Sequence, residues 1–120
     1  MPELPEVETV ARQLAPRLTG ATVRSFRIHD PLLRNGPTPR LAGRKILGVG
    51  RSGKQVLITL SPGRAASRPL WLAVHLRMTG RLIWTDDDTA MPGDYLRARF
   101  VLDRGRLSFV DPRRFGTLRW

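Results

Sequence analysis

Apolar residues near the start of the chain recur at the spacing of one helix face. The helical pattern begins at Pro5, and Glu6 and Glu8 fall in its first turn, where carboxylates interact favourably with the positive end of the helix dipole. The apolar positions are Val7, Val10, Ala11, Leu14 and Leu18. Gly20 comes where this pattern stops, and glycine readily ends a helix. The pattern therefore predicts one amphipathic helix at the start of the chain.

Beyond Gly20, short runs of strand-forming residues are separated by turn signals. Alternation of apolar and polar positions is clearest in residues 55–60 and 96–102. The predicted strands cover residues 22–28, 45–49, 55–60, 70–76, 81–84, 96–102, 107–110 and 117–120. Strands this short and evenly spaced are typical of a β-sandwich or barrel. We therefore predict a mainly β fold with one N-terminal helix packed on it.

Glycine and proline mark the connections between these strands. Pro62-Gly63 and Pro92-Gly93 predict turns, and the segment from Asp103 to Gly105 has the character of a hairpin tip. Residues 31–39, 63–69 and 85–94 are predicted to be loops. No internal repeat, low-complexity tract or domain boundary is visible, so the 120 residues are predicted to form one domain.

The chain carries a net charge of +11, from 21 Lys and Arg against 10 Asp and Glu. This charge favours a polyanionic partner such as nucleic acid, although an arginine-rich protein from a GC-rich genome has the same composition. No run of roughly 18 apolar residues is present, so no membrane span is predicted. The start of the chain is acidic, unlike a secretory signal, so we expect a cytoplasmic, nucleoid-associated protein.

Cysteine is absent, and histidine occurs only at His29 and His75. The lack of cysteine excludes disulfides and thiolate metal sites within these residues. Two histidines are too few for a convincing metal site. We therefore expect no metal or other cofactor in this chain.

The first three residues can supply a nucleophile. A methionine before a small residue such as Pro2 is normally removed, which leaves a free secondary amine at the start of the chain. The pKa of a terminal amine is about 8, so part of it is neutral and nucleophilic at cellular pH. Such an amine can attack an electrophilic sugar carbon and form a Schiff base, while the neighbouring Glu3 transfers protons. The alternative is an ordinary frayed terminus, which is the commoner case when these residues are taken alone.

Two later segments combine glycine with basic or apolar residues. Gly53 and Lys54 precede a predicted strand, where glycine lets the backbone approach a phosphate that the lysine neutralises. An ordinary turn with a solvated lysine is the simpler interpretation. In residues 75–80, alternation places His75 and Arg77 on one face, and Met78 is either a core residue or an apolar wedge at a loop tip.

A third segment, residues 111–116, holds two arginines and a phenylalanine between a proline and a glycine. Here Arg113 can replace the hydrogen-bonding partner of a base, and Phe115 can insert between stacked bases. Alternatively, the segment is a surface turn whose phenylalanine closes the core.

These segments, in this order, resemble the formamidopyrimidine-DNA glycosylase family. PELPEVET at residues 2–9 is similar to the family's signature start, and SGK at 52–54, HLRMTG at 75–80 and DPRRFG at 111–116 resemble its later motifs. The resemblance covers nearly all of the chain, and the ordered set is far more specific than any one motif. It implies a sandwich of two antiparallel sheets with flanking helices. It also implies a DNA glycosylase with AP lyase activity that removes oxidised purines, namely 8-oxoguanine and formamidopyrimidines, from double-stranded DNA.

Matched position by position, the resemblance implies a role for each candidate residue. Pro2 would be the Schiff-base nucleophile, Glu3 would protonate the opening sugar, and Glu6 would orient the catalytic site. Lys54 would complete that site by binding a phosphate beside the lesion, and His75 would lie near the DNA backbone.

Three further residues would fill the gap left by an extruded nucleotide. The resemblance implies that Arg113 faces the orphaned base, Phe115 wedges between base pairs, and Met78 fills the vacated space.

The family's second half has a helix–two-turn–helix region and a zinc finger, and neither is recognisable in these residues. We therefore expect zinc only in a longer, complete enzyme, and weak DNA binding with little cleavage from this chain, which we expect to be a monomer. Three alternatives stay open: an endonuclease VIII-like glycosylase for oxidised pyrimidines, a non-catalytic DNA-binding module, and a plain β-sandwich interaction domain.

Overall fold

The computed structural model describes residues 4–30, 39–63, 68–77, 80–86, 95–111 and 116–120. Within these ranges the chain forms one helix and eight strands. They are α1 (Leu4–Leu18), β1 (Val23–Ile28), β2 (Ile46–Ser52), β3 (Gln55–Leu60), β4 (Leu70–His75), β5 (Arg81–Thr85), β6 (Leu96–Leu102), β7 (Gly105–Val110) and β8 (Thr117–Arg119).

The strands form two antiparallel sheets of four strands each. The first sheet has the order β1-β6-β7-β5, and the second sheet has the order β2-β3-β4-β8. Apolar side chains from both sheets form one core, as the alternation in β3 and β6 predicted. The larger core residues of the strands are Ile28, Phe100, Leu102, Leu107, Phe109, Ile46, Val56, Ile58, Leu60, Leu72, Val74 and Leu118. The predicted two-sheet sandwich with an N-terminal helix is confirmed.

Helix α1 packs along β2 and β3 and buries the predicted apolar face. Val7, Ala11, Leu14 and Leu18 are buried. The helix ends before Gly20, which has a φ of +88° and donates its N–H to the carbonyl of Ile46, 2.8 Å away. This bond ties the end of α1 to the start of β2.

Two of the connections that carry the chain from one sheet to the other begin and finish at the same end of the sandwich. The first links β4 in the second sheet to β5 in the first, and the second links β7 in the first sheet to β8 in the second. His75 at the end of β4 pairs with Thr117 at the start of β8, while Arg81 at the start of β5 pairs with Val110 at the end of β7. The start of each connection therefore lies beside the end of the other. We call the end of the sandwich that holds them the crossover end.

Strand boundaries differ from the prediction by a few residues, for local reasons. Thr85 was predicted to lie in a loop but extends β5, because it pairs with Arg106. β7 begins earlier than predicted because Gly105 pairs with Leu102 in a tight hairpin whose turn is Asp103-Arg104. The predicted hairpin tip is thus confirmed. Most of the three predicted loops, and the Pro92-Gly93 turn, lie outside the described residues. Among those described, no helix is long and apolar enough to cross a membrane.

The β6–β7 hairpin requires glycine at position 105. A Cβ built on Gly105 would overlap the Trp84 ring and lie 2.9 Å from the carbonyl oxygen of Thr85. We expect Gly105→Ala to lower the free energy of unfolding by about 1–3 kcal/mol, because overpacking forces neighbouring groups to move. Urea unfolding followed by circular dichroism measures this change. Gly50→Ala is the matched control, since a Cβ there meets nothing within 4 Å; equal losses in both variants would contradict the interpretation.

Candidate nucleic-acid interface

Three of the sequence motifs meet at the crossover end. The β2–β3 turn holds Gly53 and Lys54, and Val56 just beyond it pairs with Val74 near the end of β4. This pairing brings the turn next to His75, where the first connection starts and the second connection ends. Residues 52–54, 75–80 and 111–116 are far apart in the sequence, so their convergence depends on the pairing of strands.

The β2–β3 turn exposes its lysine. Gly53 has a φ of +60°, a conformation that strains any residue with a side chain. Arg51 closes the turn by donating from Nη1 to the carbonyl oxygen of Gly53, 3.1 Å away. Lys54 is exposed at the tip. Its ammonium can therefore reach an anion without first leaving a buried position.

The first connection begins with an unusual backbone turn. Arg77 has a φ of +54°, although non-glycine residues rarely adopt this left-handed conformation. Its N–H donates to Nδ1 of His75 at 3.2 Å. Because Nδ1 accepts this bond, the proton of the neutral imidazole is on Nε2, which can donate to a ligand. The predicted alternation of His75 and Arg77 on one strand face is therefore wrong, since the strand ends at His75 and the chain turns.

The end of the first connection, at Gly80, is also closely packed. Gly80 donates its N–H to the carbonyl oxygen of Leu76 at 2.9 Å, and a Cβ on Gly80 would lie only 2.6 Å from that oxygen. Leu76 is buried, which anchors the turn in the core. Met78 lies outside the described residues, but both ends of the segment that carries it are fixed.

Burial and nearby positive charge together lower the pKa of His75. Burial is the largest cause, followed by the charges of Arg77 and then Lys54. The imidazole therefore stays neutral to a lower pH than an exposed histidine. His29 shows the same effect, because burial first, then Arg27 and Arg99, lower its pKa. The three groups Lys54, His75 and Arg77 thus form one cluster of hydrogen-bond donors that matches an anionic ligand such as phosphate.

The second connection is closed by a buried carboxylate. Oδ2 of Asp111 accepts the N–H of Gly116 at 2.7 Å, and both residues are buried. Gly116 also has no room for a side chain, because its Cβ would overlap Phe109 and lie 2.9 Å from the carbonyl oxygen of His75. The segment carrying Arg113 and Phe115 therefore starts and ends at fixed points, although those two residues lie outside the described ones.

The beginning of α1 carries another predicted site residue. Glu6 is exposed in the first turn, as predicted. Pro2 and Glu3 lie outside the described residues. The roles predicted for Glu6, Lys54 and His75 stay predictions, but the structure brings the elements that carry Lys54 and His75 to one end of the molecule.

Two residues with defined contacts at this end were not among the predicted site residues. Arg77 carried a sequence signal, a cation between a histidine and a glycine, but nothing in the sequence indicates its left-handed backbone. Asp111 was part of a predicted motif, yet its carboxylate was assigned no role. In the described part of the chain, no group of three or more His, Asp or Glu side chains is placed to hold a metal ion.

The model of one protein family matches nearly the whole chain. Its description is "Formamidopyrimidine-DNA glycosylase N-terminal domain", and it matches residues 1–118. A formamidopyrimidine-DNA glycosylase from Mycolicibacterium vanbaalenii is 44% identical over 131 residues, which cover 97% of this chain and 43% of the relative. The chain thus spans less than half the length of such relatives.

Solved structures of DNA complexes share the fold. The formamidopyrimidine-DNA glycosylase of Lactococcus lactis in complex with DNA containing an oxidised pyrimidine has a TM-score of 0.84 and 30% sequence identity, over 98% of this chain and 43% of that one. The same enzyme with DNA containing FAPY-dG has a TM-score of 0.83 and 30% identity, over 97% of this chain and 43% of that one. Damaged DNA is the ligand in both of these similar structures.

The lowered pKa values of the two histidines make the stability of the fold depend on pH. Since His29 and His75 bind protons less readily when folded, the unfolded chain takes up more protons as pH falls through the ordinary value of 6.5. The free energy of unfolding therefore falls through that window and levels off below the folded-state pKa values. Urea titrations between about pH 8 and about pH 5 measure the fall. A His29→Gln/His75→Gln double variant should lose much of this dependence, and an unchanged slope would refute the assignment.

Proposed function

The chain belongs to the formamidopyrimidine-DNA glycosylase N-terminal domain family, and we propose that it is the catalytic part of a base-excision-repair glycosylase with AP lyase activity. Its substrates are oxidised purines, namely 8-oxoguanine and formamidopyrimidines, in double-stranded DNA. It acts in the cytoplasm as a monomer. The proposal needs no metal bound by these residues; zinc belongs to the second half of the complete enzyme.

The convergence at the crossover end carries this proposal. A phosphate-binding turn and the ends of two connections whose motifs suit insertion into DNA meet at one end of a chain whose net charge is +11. In a plain interaction domain, no function would require these motifs to lie next to each other. An enzyme that extrudes a nucleotide needs them together, because it must hold the backbone, fill the gap and attack the sugar at one site.

Binding begins with the phosphate backbone. Lys54 provides an exposed ammonium, and neutral His75 provides Nε2–H as a donor that does not depend on charge. Arg77 adds a second permanent cation beside them. Contacts of this kind hold the strand on both sides of a lesion and make binding strongly dependent on salt.

Extrusion of the damaged nucleotide leaves a gap that must be filled. Unstacking a base requires a few kcal/mol, and inserted side chains offset part of that energy. Met78 on the first connection fills the vacated space. From the second connection, Arg113 donates to the orphaned base, and Phe115 separates the neighbouring pairs. The two connections start and end at neighbouring points, which suits a wedge built from both.

Base removal uses the amine of Pro2, freed when Met1 is removed. Its lone pair attacks C1′ of the deoxyribose, the bond from C1′ to the base breaks, and the base leaves with that electron pair and takes up a proton. The pKa of a terminal amine is about 8, so part of it is neutral and nucleophilic at cellular pH. Pro2 lies only two residues before Leu4, where α1 begins.

Strand cleavage follows from the resulting aminal. Glu3 protonates O4′ as the bond from C1′ to O4′ breaks, which leaves an iminium between C1′ and Pro2. Removal of a proton from C2′ expels the 3′ phosphate, a second elimination expels the 5′ phosphate, and water hydrolyses the iminium to restore the amine. Glu6 in the first turn of α1 orients the groups around the amine.

Borohydride trapping tests the covalent step. We expect the complete protein, incubated with a duplex containing an abasic site and sodium borohydride, to form a covalent adduct, because hydride reduces the iminium to a stable amine. Denaturing gel electrophoresis detects the adduct. Pro2→Gly should reduce trapping strongly, and a chain extended before Pro2, whose nitrogen is then an amide, should abolish it.

The matched control is Pro62→Gly, the same substitution at an exposed position just after β3, far from the β2–β3 turn. This variant should trap like the unchanged complete protein. An adduct that survives both Pro2→Gly and the extension would exclude Pro2 as the nucleophile. Absence of any adduct from the unchanged complete protein would favour a non-catalytic DNA-binding module instead.

Oxidised pyrimidines are a second candidate substrate, because the similar Lactococcus lactis enzyme has been solved with DNA containing one. To compare the two substrate classes, duplexes with 8-oxoguanine or thymine glycol at the same position are presented to the complete protein. We expect faster incision at 8-oxoguanine, measured in single-turnover assays, because PELPEVET and the Arg113/Phe115 pair resemble the purine-directed branch. Faster incision at thymine glycol would make the protein endonuclease VIII-like.

A further inference from the structure

Two carboxylates are buried at the crossover end, and the proposed reaction uses neither. Asp111 is 0% exposed and Asp30 is 4% exposed. Burying a carboxylate is unfavourable unless cations or hydrogen-bond donors surround it. We therefore expect the two carboxylates to hold neighbouring protein groups in position.

Arg97 joins three strand ends beside these carboxylates. Its side chain is only 14% exposed, its Nε donates to the carbonyl oxygen of Asp111 at 2.8 Å, and its Nη1 lies 4.0 Å from Oδ2 of Asp30. The carbonyl oxygen of Arg97 also accepts the N–H groups of His29 and Asp30, at 2.7 Å and 3.2 Å. One residue thereby connects the end of β1, the start of β6 and the end of β7.

Asp111 is also held through its backbone N–H, and its carboxylate reaches across the second connection. Its N–H donates to the carbonyl oxygen of Tyr95 at 3.0 Å, while its Oδ2 accepts the N–H of Gly116 at 2.7 Å. The close approach of Gly116 to the carbonyl of His75 fixes the far end of the segment. Four residues separate these two fixed points, and Arg113 and Phe115 are among them.

We infer that Asp111, held in place by Arg97, is a positioning residue that sets where the segment 112–115 stands relative to DNA. This inference rests on the proposed function, because it gives Arg113 and Phe115 their roles in the gap. The carboxylate fixes the separation and direction of the two ends of the segment. A displacement of about 1 Å in such a group can reduce activity a hundredfold, so the bond acts on recognition as well as on folding.

The test compares binding to two duplexes that differ only at one abasic site, using fluorescence anisotropy. The preference is the ratio of the two dissociation constants. Asp111→Ala removes the acceptor and should reduce the preference by at least about tenfold, while binding to the intact duplex changes little. Asp111→Asn keeps an oxygen that can accept from Gly116 and should restore most of the preference. Arg97→Lys keeps the charge but loses the Nε donor, and should fall between them.

Asp103→Ala is the matched control. Oδ1 of Asp103 also accepts a backbone N–H, that of Thr22 at 3.1 Å, but at the opposite end of the first sheet. Thermal unfolding of each variant gives the fraction that is folded. If Asp111→Ala and Asp103→Ala lose preference equally, or only in proportion to unfolding, the role is structural alone and the inference is overturned.

A second measurement separates this inference from the proposed function. Nuclear magnetic resonance follows the exchange of the Gly116 amide and the backbone signals of Arg113 and Phe115 without DNA. We expect faster exchange and shifted signals in Asp111→Ala, largely reversed in Asp111→Asn; unchanged signals would refute the positioning role. If the unchanged chain shows no preference for the abasic duplex, the proposed function fails, and the resonance result still decides whether Asp111 positions the segment.

Discussion

The structure depends on the pairing of β4 with β8 and of β5 with β7. These two antiparallel pairs oblige the chain to change sheets twice at the same end, in opposite directions. The ends of both connections then lie next to each other. Because β3 pairs with β4, the same arrangement brings the Lys54 turn into the group. A site drawn from three distant parts of the sequence is thus a consequence of strand order.

Local sequence patterns predicted the elements well, since those elements follow from local physics. The helix face from Val7 to Leu18 and the alternation in β3 reflect burial on one side of a regular backbone. Strand order and the left-handed Arg77 could not be predicted in this way. Strand order depends on contacts between distant residues, and Arg77 adopts its conformation because His75 and the buried Leu76 hold the turn around it. The motifs indicated what the site contains, whereas the tertiary structure determined how its parts meet.

Charge and geometry contribute differently at the crossover end. The net charge of +11 attracts any polyanion and carries no information about damage. The neutral imidazole of His75 and the buried pair of Asp111 and Arg97 add little to that attraction. These side chains instead fix the positions of backbone groups, with which they form hydrogen bonds. Under the proposed function, affinity for DNA and selectivity among its sites can therefore vary independently.

The lack of a side chain at Gly116 limits which sequence changes such a domain can accept. This lack lets the backbone rest against the end of β4, so the base of the second connection tolerates almost no change. The contacts described for this connection involve Asp111 and Gly116, at its two ends. Natural variation can therefore change the side chains of residues 112–115 while the two anchoring residues, Asp111 and Gly116, stay constant. Related domains can thus acquire new ligand preferences without any change in the β-sandwich.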